Sequence, residues 1–145
     1  MGGDHEHHRK LERMYAAAPV NSFFEPKLTV GPAQAEVRID VRQAFFHSAG
    51  AMHGVVYFKA LDDSTFFAAQ SVVDEYFVLT AHFELDLLRP VSGGSVVARA
   101  RVTKQSGRRV WSEAELCDES GNCVAKGEGV FVVSEQRLSP EIHYR

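Results

Sequence analysis

Strict alternation of apolar and polar residues begins at Ala35. Ala35, Val37, Ile39 and Val41 share one face, with Glu36, Arg38, Asp40 and Arg42 on the other. A period of two is that of a half-buried strand. From about His53 to Ser71 the period changes. This stretch has no Pro and no Gly beyond Gly54, and Val55, Val56, Tyr57, Phe58, Leu61, Phe66, Phe67, Ala68 and Ala69 cover most of a helical circumference. A helix that is apolar nearly all round is normally buried. Turning each residue by about 100° puts Lys59, Asp63 and Gln70 on one stripe, with Asp62 at its margin.

Alternation then returns. Phe77, Leu79, Ala81, Phe83, Leu85 and Leu87 oppose Val78, Thr80, His82, Glu84 and Asp86, and Pro90 with Gly93-Gly94 ends the run. Three more strands are predicted: Val96 to Thr103, about Arg109 to Cys117, and about Cys123 to Val133. Turns at Gln105-Ser106-Gly107 and Asp118-Glu119-Ser120-Gly121-Asn122 separate them. Short connections favour antiparallel pairing. Upstream, residues 5–17 mix charge with Leu11, Met14 and Tyr15 as a short amphipathic helix does, and Pro19, Pro26, Gly31 and Pro32 make 18–32 a loop with at most a short extended piece. One long helix against an antiparallel sheet is an α+β arrangement. The tail from Ser134 is polar and expected to be irregular.

At 145 residues, 45% hydrophobic and 24% charged, the chain is long enough for one domain with a real core. A net charge of -3 gives no general attraction to nucleic acid or to anionic membrane. No apolar stretch is long enough to cross a bilayer, and the N-terminus lacks the apolar centre of a signal peptide, so a cytoplasmic protein is expected. In that setting Cys117 and Cys123 are expected as free thiols, with a cross-strand disulfide as the alternative. No spacing suggests a metal site, and no cofactor is expected. His5, His7 and His8 are a set that could bind a metal adventitiously, and a flexible polar terminus explains them as well.

Two short signatures carry a family likeness. His53-Gly54-Val55 opens the helix and Ala60-Leu61-Asp62 lies within it; Asp86-Leu87-Leu88-Arg89-Pro90 follows at the end of the next strand. In this order the pattern resembles the hotdog fold and, within it, the PaaI-like acyl-CoA thioesterases. The likeness spans roughly residues 33–134, leaving 1–32 as an N-terminal helix and loop and 135–145 as a polar tail. It implies a sheet wrapped around the central helix, a homodimer or a tetramer built from two dimers, and active sites at the dimer interface. It also implies that the helix carboxylate, here Asp62, is general base or nucleophile. Val55 stands where the family has a second glycine, and His47 where it commonly has Asn.

Thioester hydrolysis needs a group that activates water or attacks directly, and a donor for the charge that develops on the carbonyl oxygen. Asp62 fits the first need and the Gly54 amide, at the positive end of the helix, the second. His47 is a candidate for orienting the thioester or the water. His53, Val55, Phe58, Thr80 and Arg89 are candidate substrate-binding residues, Phe58 through pocket depth and Arg89 through the anionic coenzyme A. Arg99, Arg101, Lys104, Arg108 and Arg109 are further candidates for the same anion. The plain alternative for Asp62 is a solvated residue paired with Lys59 at i,i+3, with Asp63 as the rival carboxylate. Two other functions stay open: a hotdog dehydratase or hydratase using His47 with Asp62, and an acyl-CoA-binding module without turnover.

Overall fold

The computed structural model describes residues 2–145. Helix α1 (Gly2–Ala17) and one turn of helix, α2 (Asn21–Phe24), lead into strands β1 (Lys27–Gly31) and β2 (Gln34–Asp40). Helix α3 (Gly54–Gln70) follows, and then β3 (Tyr76–Leu87), β4 (Ser95–Ser106), β5 (Arg109–Asp118) and β6 (Cys123–Arg137). The six strands form one sheet in the order β1-β2-β4-β5-β6-β3, and every neighbouring pair is antiparallel. The sheet wrapped around α3 is the arrangement that the hotdog resemblance implies, with α1 as a second helix of nearly the same length outside it.

The sheet begins upstream of the segment expected from sequence. Residues 27–31 pair with β2 through a hairpin whose Ala33 takes a φ of +58°, so the loop predicted for 18–32 is in part α2 and β1. Strand β6 also outruns its expected end at Val133 and reaches Arg137, where it pairs with Tyr76. The tail is not free: Tyr144 packs against α1, where the His7 Nδ1 and the Tyr144 hydroxyl are 2.6 Å apart. His7 and His8 are buried, contrary to the expected flexible terminus, because α1 lies on the fold and the His7 Nε2 hydrogen-bonds the Gln70 carbonyl at 2.9 Å.

Helix α3 is buried along most of its circumference, as its all-round apolar pattern requires. Ala60, Leu61 and Ala68 are fully buried, and the small side chains of Ala60 and Ala68 let the sheet approach closely. Truncating Leu61 to Ala would cost about 2–5 kcal/mol. Gln70, expected on the polar stripe, is instead fully buried and acts as an internal clip. Its Nε2 donates to the Val73 and Tyr76 carbonyls and its Oε1 accepts from the Val78 amide, each at 2.9 Å. These bonds fix the reversal from α3 into β3.

Strand β3 does not keep one alternation throughout. Thr80 pairs with Phe131 but His82 pairs with Val130, so Ala81 is an extra residue, a bulge. Val78 is therefore fully buried while Leu79 is 53% exposed, and the expected face of Phe77, Leu79, Ala81 and Phe83 is broken. Thr80 and Phe83, three apart, both point toward α3. Downstream, Gly127 and Gly129 of β6 make room for the Phe83 ring, since a Cβ at either would lie 2.8 Å from it. The opposite face of the sheet is charged, with Arg99 paired to Glu36 and Arg101 to Glu113.

Candidate active site

The helix start comes first. His53 is the N-cap of α3, and its Nδ1 accepts the Val55 amide at 2.9 Å. The Val56 amide bonds back to the His53 carbonyl at 3.0 Å. The Gly54 amide has no acceptor among the described residues. The unpaired N–H expected at a helix N-terminus is thus narrowed to one group at the positive end of the helix dipole. Among the described residues, the only side-chain atom that a Cβ on Gly54 would meet is Leu87 Cδ1, at 3.4 Å. His53 is exposed, and its structural part is the cap itself.

Around Gly54 the surface is apolar. Val55 is 49% exposed, Phe58 38%, Leu87 53% and Leu88 51%. Phe58 stands edge-on to Phe83, with centroids 5.3 Å apart. Arg89 is exposed, and its carbonyl rather than its guanidinium is engaged, accepting from the Tyr57 hydroxyl at 2.8 Å. His47 lies on the exposed turn before the helix, where its Nδ1 accepts the Ala49 amide at 3.1 Å. Its ring has no hydrogen bond to Asp62 or to Gly54 within the chain.

Two turns along the same helix, Asp62 is half-buried and faces β3. Thr80 donates its hydroxyl to Asp62 Oδ1 at 3.0 Å. The bulge at Ala81 is what brings Thr80 to this face. Loss of water contact, and then repulsion from Asp63, push the Asp62 carboxyl up to about 6, against the opposing pull of Thr80 and Lys59. A carboxylate held there is a far better proton acceptor near neutrality than an ordinary one.

The i,i+3 pairing of Asp62 with Lys59 is replaced by an i,i+4 pair. Lys59 Nζ lies 2.6 Å from Asp63 Oδ2, and the Tyr15 hydroxyl donates to the same oxygen at 2.5 Å. Asp63 is therefore committed to an internal cluster, and Asp62 is the carboxylate left with a single neutral donor. The i,i+4 spacing of Lys59 and Asp63 signalled this pair. Nothing in the local sequence signalled Tyr15, which reaches the cluster from α1.

Gly54 and Asp62 are eight residues apart, a rise of about 12 Å along the helix. One carbonyl cannot touch both on the same chain. Their use in one reaction requires the amide of one copy to meet the carboxylate of another. Of the basic residues considered for coenzyme A, Arg99 and Arg101 are held in ion pairs on the outer face of the sheet. Lys104 covers the Trp111 ring at 4.7 Å, and Arg108 donates to the Val133 carbonyl at 2.6 Å.

Residues 49–125 match the family model described as the thioesterase superfamily. Two proteins of Saccharolobus solfataricus, both carrying provisional esterase assignments, are similar in sequence. One is 25% identical over 132 residues, covering 90% of this chain and 94% of that one. The other is 26% identical over 110 residues, covering 72% and 73%. Among solved structures, the E. coli PaaI protein from the phenylacetic acid degradation operon superposes with a TM-score of 0.85 at 18% identity, covering 94% of this chain and 99% of that one. A conserved protein of Pseudomonas aeruginosa does so at 0.78 with 26% identity, covering 84% and 98%. The likeness to the first of these structures concerns the hotdog fold alone.

Proposed function

This chain belongs to the thioesterase superfamily and is at that level a thioester hydrolase, and from that premise we propose that it cleaves acyl- or aryl-CoA thioesters with Asp62 as general base or nucleophile. The observation that carries the reading is the half-buried Asp62 carboxylate, raised to about 6 and held by Thr80 on the helix that also presents the free Gly54 amide. In this reading the thioester carbonyl lies against the Gly54 amide of one protomer. Asp62 of the partner takes a proton from the water that attacks the carbonyl carbon and passes it to the departing sulfur, or attacks that carbon itself, expelling the thiolate and forming a mixed anhydride that water then hydrolyses to free the acid and the carboxylate. The amide stabilises the oxyanion as coenzyme A leaves as its thiol. A preorganised donor of this kind is worth about 100- to 1000-fold in rate.

The dimer required by this reading has a natural seam. Strand β3 is the last strand of the sheet and runs for 12 residues with an unpaired outer edge. A long exposed edge is a ready template for a second chain. The exposed Val55, Phe58, Leu87 and Leu88 near Gly54 supply apolar area for the same contact and for the acyl group. Pairing of two dimers into a tetramer is part of the reading. The substrate-binding roles of His53, Val55, Phe58, Thr80 and Arg89, and an orienting role for His47, belong to it as well.

A panel of short, medium, long and aryl acyl-CoAs, followed by release of free thiol, tests the proposal. Asp62→Ala is expected to lower kcat by at least about 100-fold, with the fold intact by circular dichroism. Turnover unchanged in Asp62→Ala would remove Asp62 from the mechanism, and no thiol release from any substrate would remove the activity.

A further inference from the structure

Resting on the assignment of Asp62 as the base, we propose that Asp63 is a positioning residue: its carboxylate, clamped by Tyr15 of α1 and Lys59 of α3, fixes a charge beside Asp62 and sets the pH range in which Asp62 works. The clamp is well formed. Tyr15 Oη and Lys59 Nζ converge on the same oxygen of Asp63, at 2.5 and 2.6 Å. The Lys59 and Asp63 side chains are only 12% and 15% exposed. The Lys59 ammonium also lies 5.2 Å from the Tyr15 ring centroid and 5.4 Å from that of Phe24. Tyr15 is itself wedged edge-on against Phe67, at 5.0 Å. Burial and the adjacent carboxylate push the Tyr15 phenol far up, so it remains a hydrogen-bond donor at every working pH.

Successive residues of a helix point about 100° apart. Asp63 therefore faces α1 while Asp62 faces β3, and the two carboxylates stay close without sharing a partner. The charged and polar groups facing Asp62 are few. Asp63 and Lys59 come from α3, the Tyr15 phenol lies behind them on α1, and Thr80 reaches over from β3. The core residues that β2, β4, β5 and β6 pack beneath α3, among them Val37, Ile39, Ala98, Leu116 and Ala125, do not titrate. With so little water around the clamp, salt screens its field weakly. A buried ion pair is a poor stabiliser compared with apolar residues of the same size, so stability alone gives little reason for this one. Its position beside Asp62 does: Asp63 opposes the ionisation of Asp62, Lys59 favours it, and α1 holds both in place.

The test uses pH profiles of kcat/KM together with carbon-13 titration of the Asp62 carboxyl in the intact protein. Asp63→Asn should move the acid limb down by about one pH unit, and Lys59→Met should move it up. A purely structural ion pair would lower activity in both variants without moving the two limbs in opposite directions. If either single variant fails to fold, Lys59→Met combined with Asp63→Leu removes both charges and keeps the packing. That double variant should move the limb down, because Asp63 outweighs Lys59 at Asp62. Profiles and titrations that superimpose on wild type would overturn the proposal. Failure of the underlying reading looks different: Asp62→Ala would keep full turnover while the titration of Asp62 still responded to Asp63.

Discussion

Replacing Asp62 by Asn is expected to make the protein more stable at pH 8 and to change its stability only slightly at pH 4. The folded chain raises this carboxyl from 3.8 to about 6. Between those values the folded state holds a proton that the unfolded chain has already released, so stability falls as the pH rises through this window. Above about pH 6 the deficit is complete. At about 1.36 kcal/mol per pH unit, the rise amounts to at most about 3 kcal/mol, less what residual solvent contact screens. Asn keeps the shape and an oxygen that can accept from Thr80, so the hydrogen bond seen at 3.0 Å survives while the charge does not. Urea unfolding of wild type and Asp62→Asn at pH 4 and pH 8, at one fixed protein concentration so that assembly does not intervene, measures the difference. A gain of about 2–3 kcal/mol at pH 8 that shrinks to less than about 1 kcal/mol at pH 4 is the expected result. A difference that is independent of pH, or a loss at pH 8, would refute the argument that burial is what raises this group.

Gln70→Leu keeps the volume but strands three backbone groups now bonded at 2.9 Å. At about 1–3 kcal/mol for each buried group left without a partner, the three together should cost about 3–9 kcal/mol by chemical denaturation. A loss below about 1 kcal/mol would mean that the clip is dispensable. Cys117 and Cys123 are free but sit directly opposite each other in the β5–β6 ladder. Antiparallel partners have Cα atoms about 4.5–5.5 Å apart, within the reach of a disulfide. Mild oxidation should therefore yield an intramolecular bond, seen as the loss of two hydrogens by mass spectrometry. Intermolecular species alone would contradict that register.

The helix, the strands that follow it and the α+β class were legible because each rests on a long run of one period. The apolar stretch from Val55 to Ala69 covers most of a helical circumference, as a buried helix requires, although Val55 and Phe58 stay on its exposed side. Strand β1 was legible only as a short extended piece within a loop, because Lys27–Gly31 is too short to establish a period and lies between prolines. Gln70 and Asp63 were misread for one reason: a helical wheel assigns polar residues to a solvated stripe, and only tertiary partners reveal that Gln70 clips a chain reversal and that Asp63 meets Tyr15. Those partners are 48 residues away for Asp63 and on the neighbouring turn for Gln70. Asp62 could be singled out in advance through the motif around it, whereas its rise to about 6 depends on packing that no local pattern records.

The bulge in β3 also bears on how this strand tolerates changes in length. Phe131 and Val130 are consecutive on β6, yet the residues opposite them, Thr80 and His82, are not. Ala81 is the surplus residue between them. A shortened strand missing only Ala81 would keep every inward side chain on its present side, from Val78 through Thr80 to Leu87. A residue lost between Phe83 and Leu87 would instead turn part of the strand inside out, exchanging aromatic and aliphatic groups for Glu84 or Asp86. In an alignment of chains with this architecture, a one-residue gap in this strand is therefore compatible with an unchanged site at Ala81 and with little else.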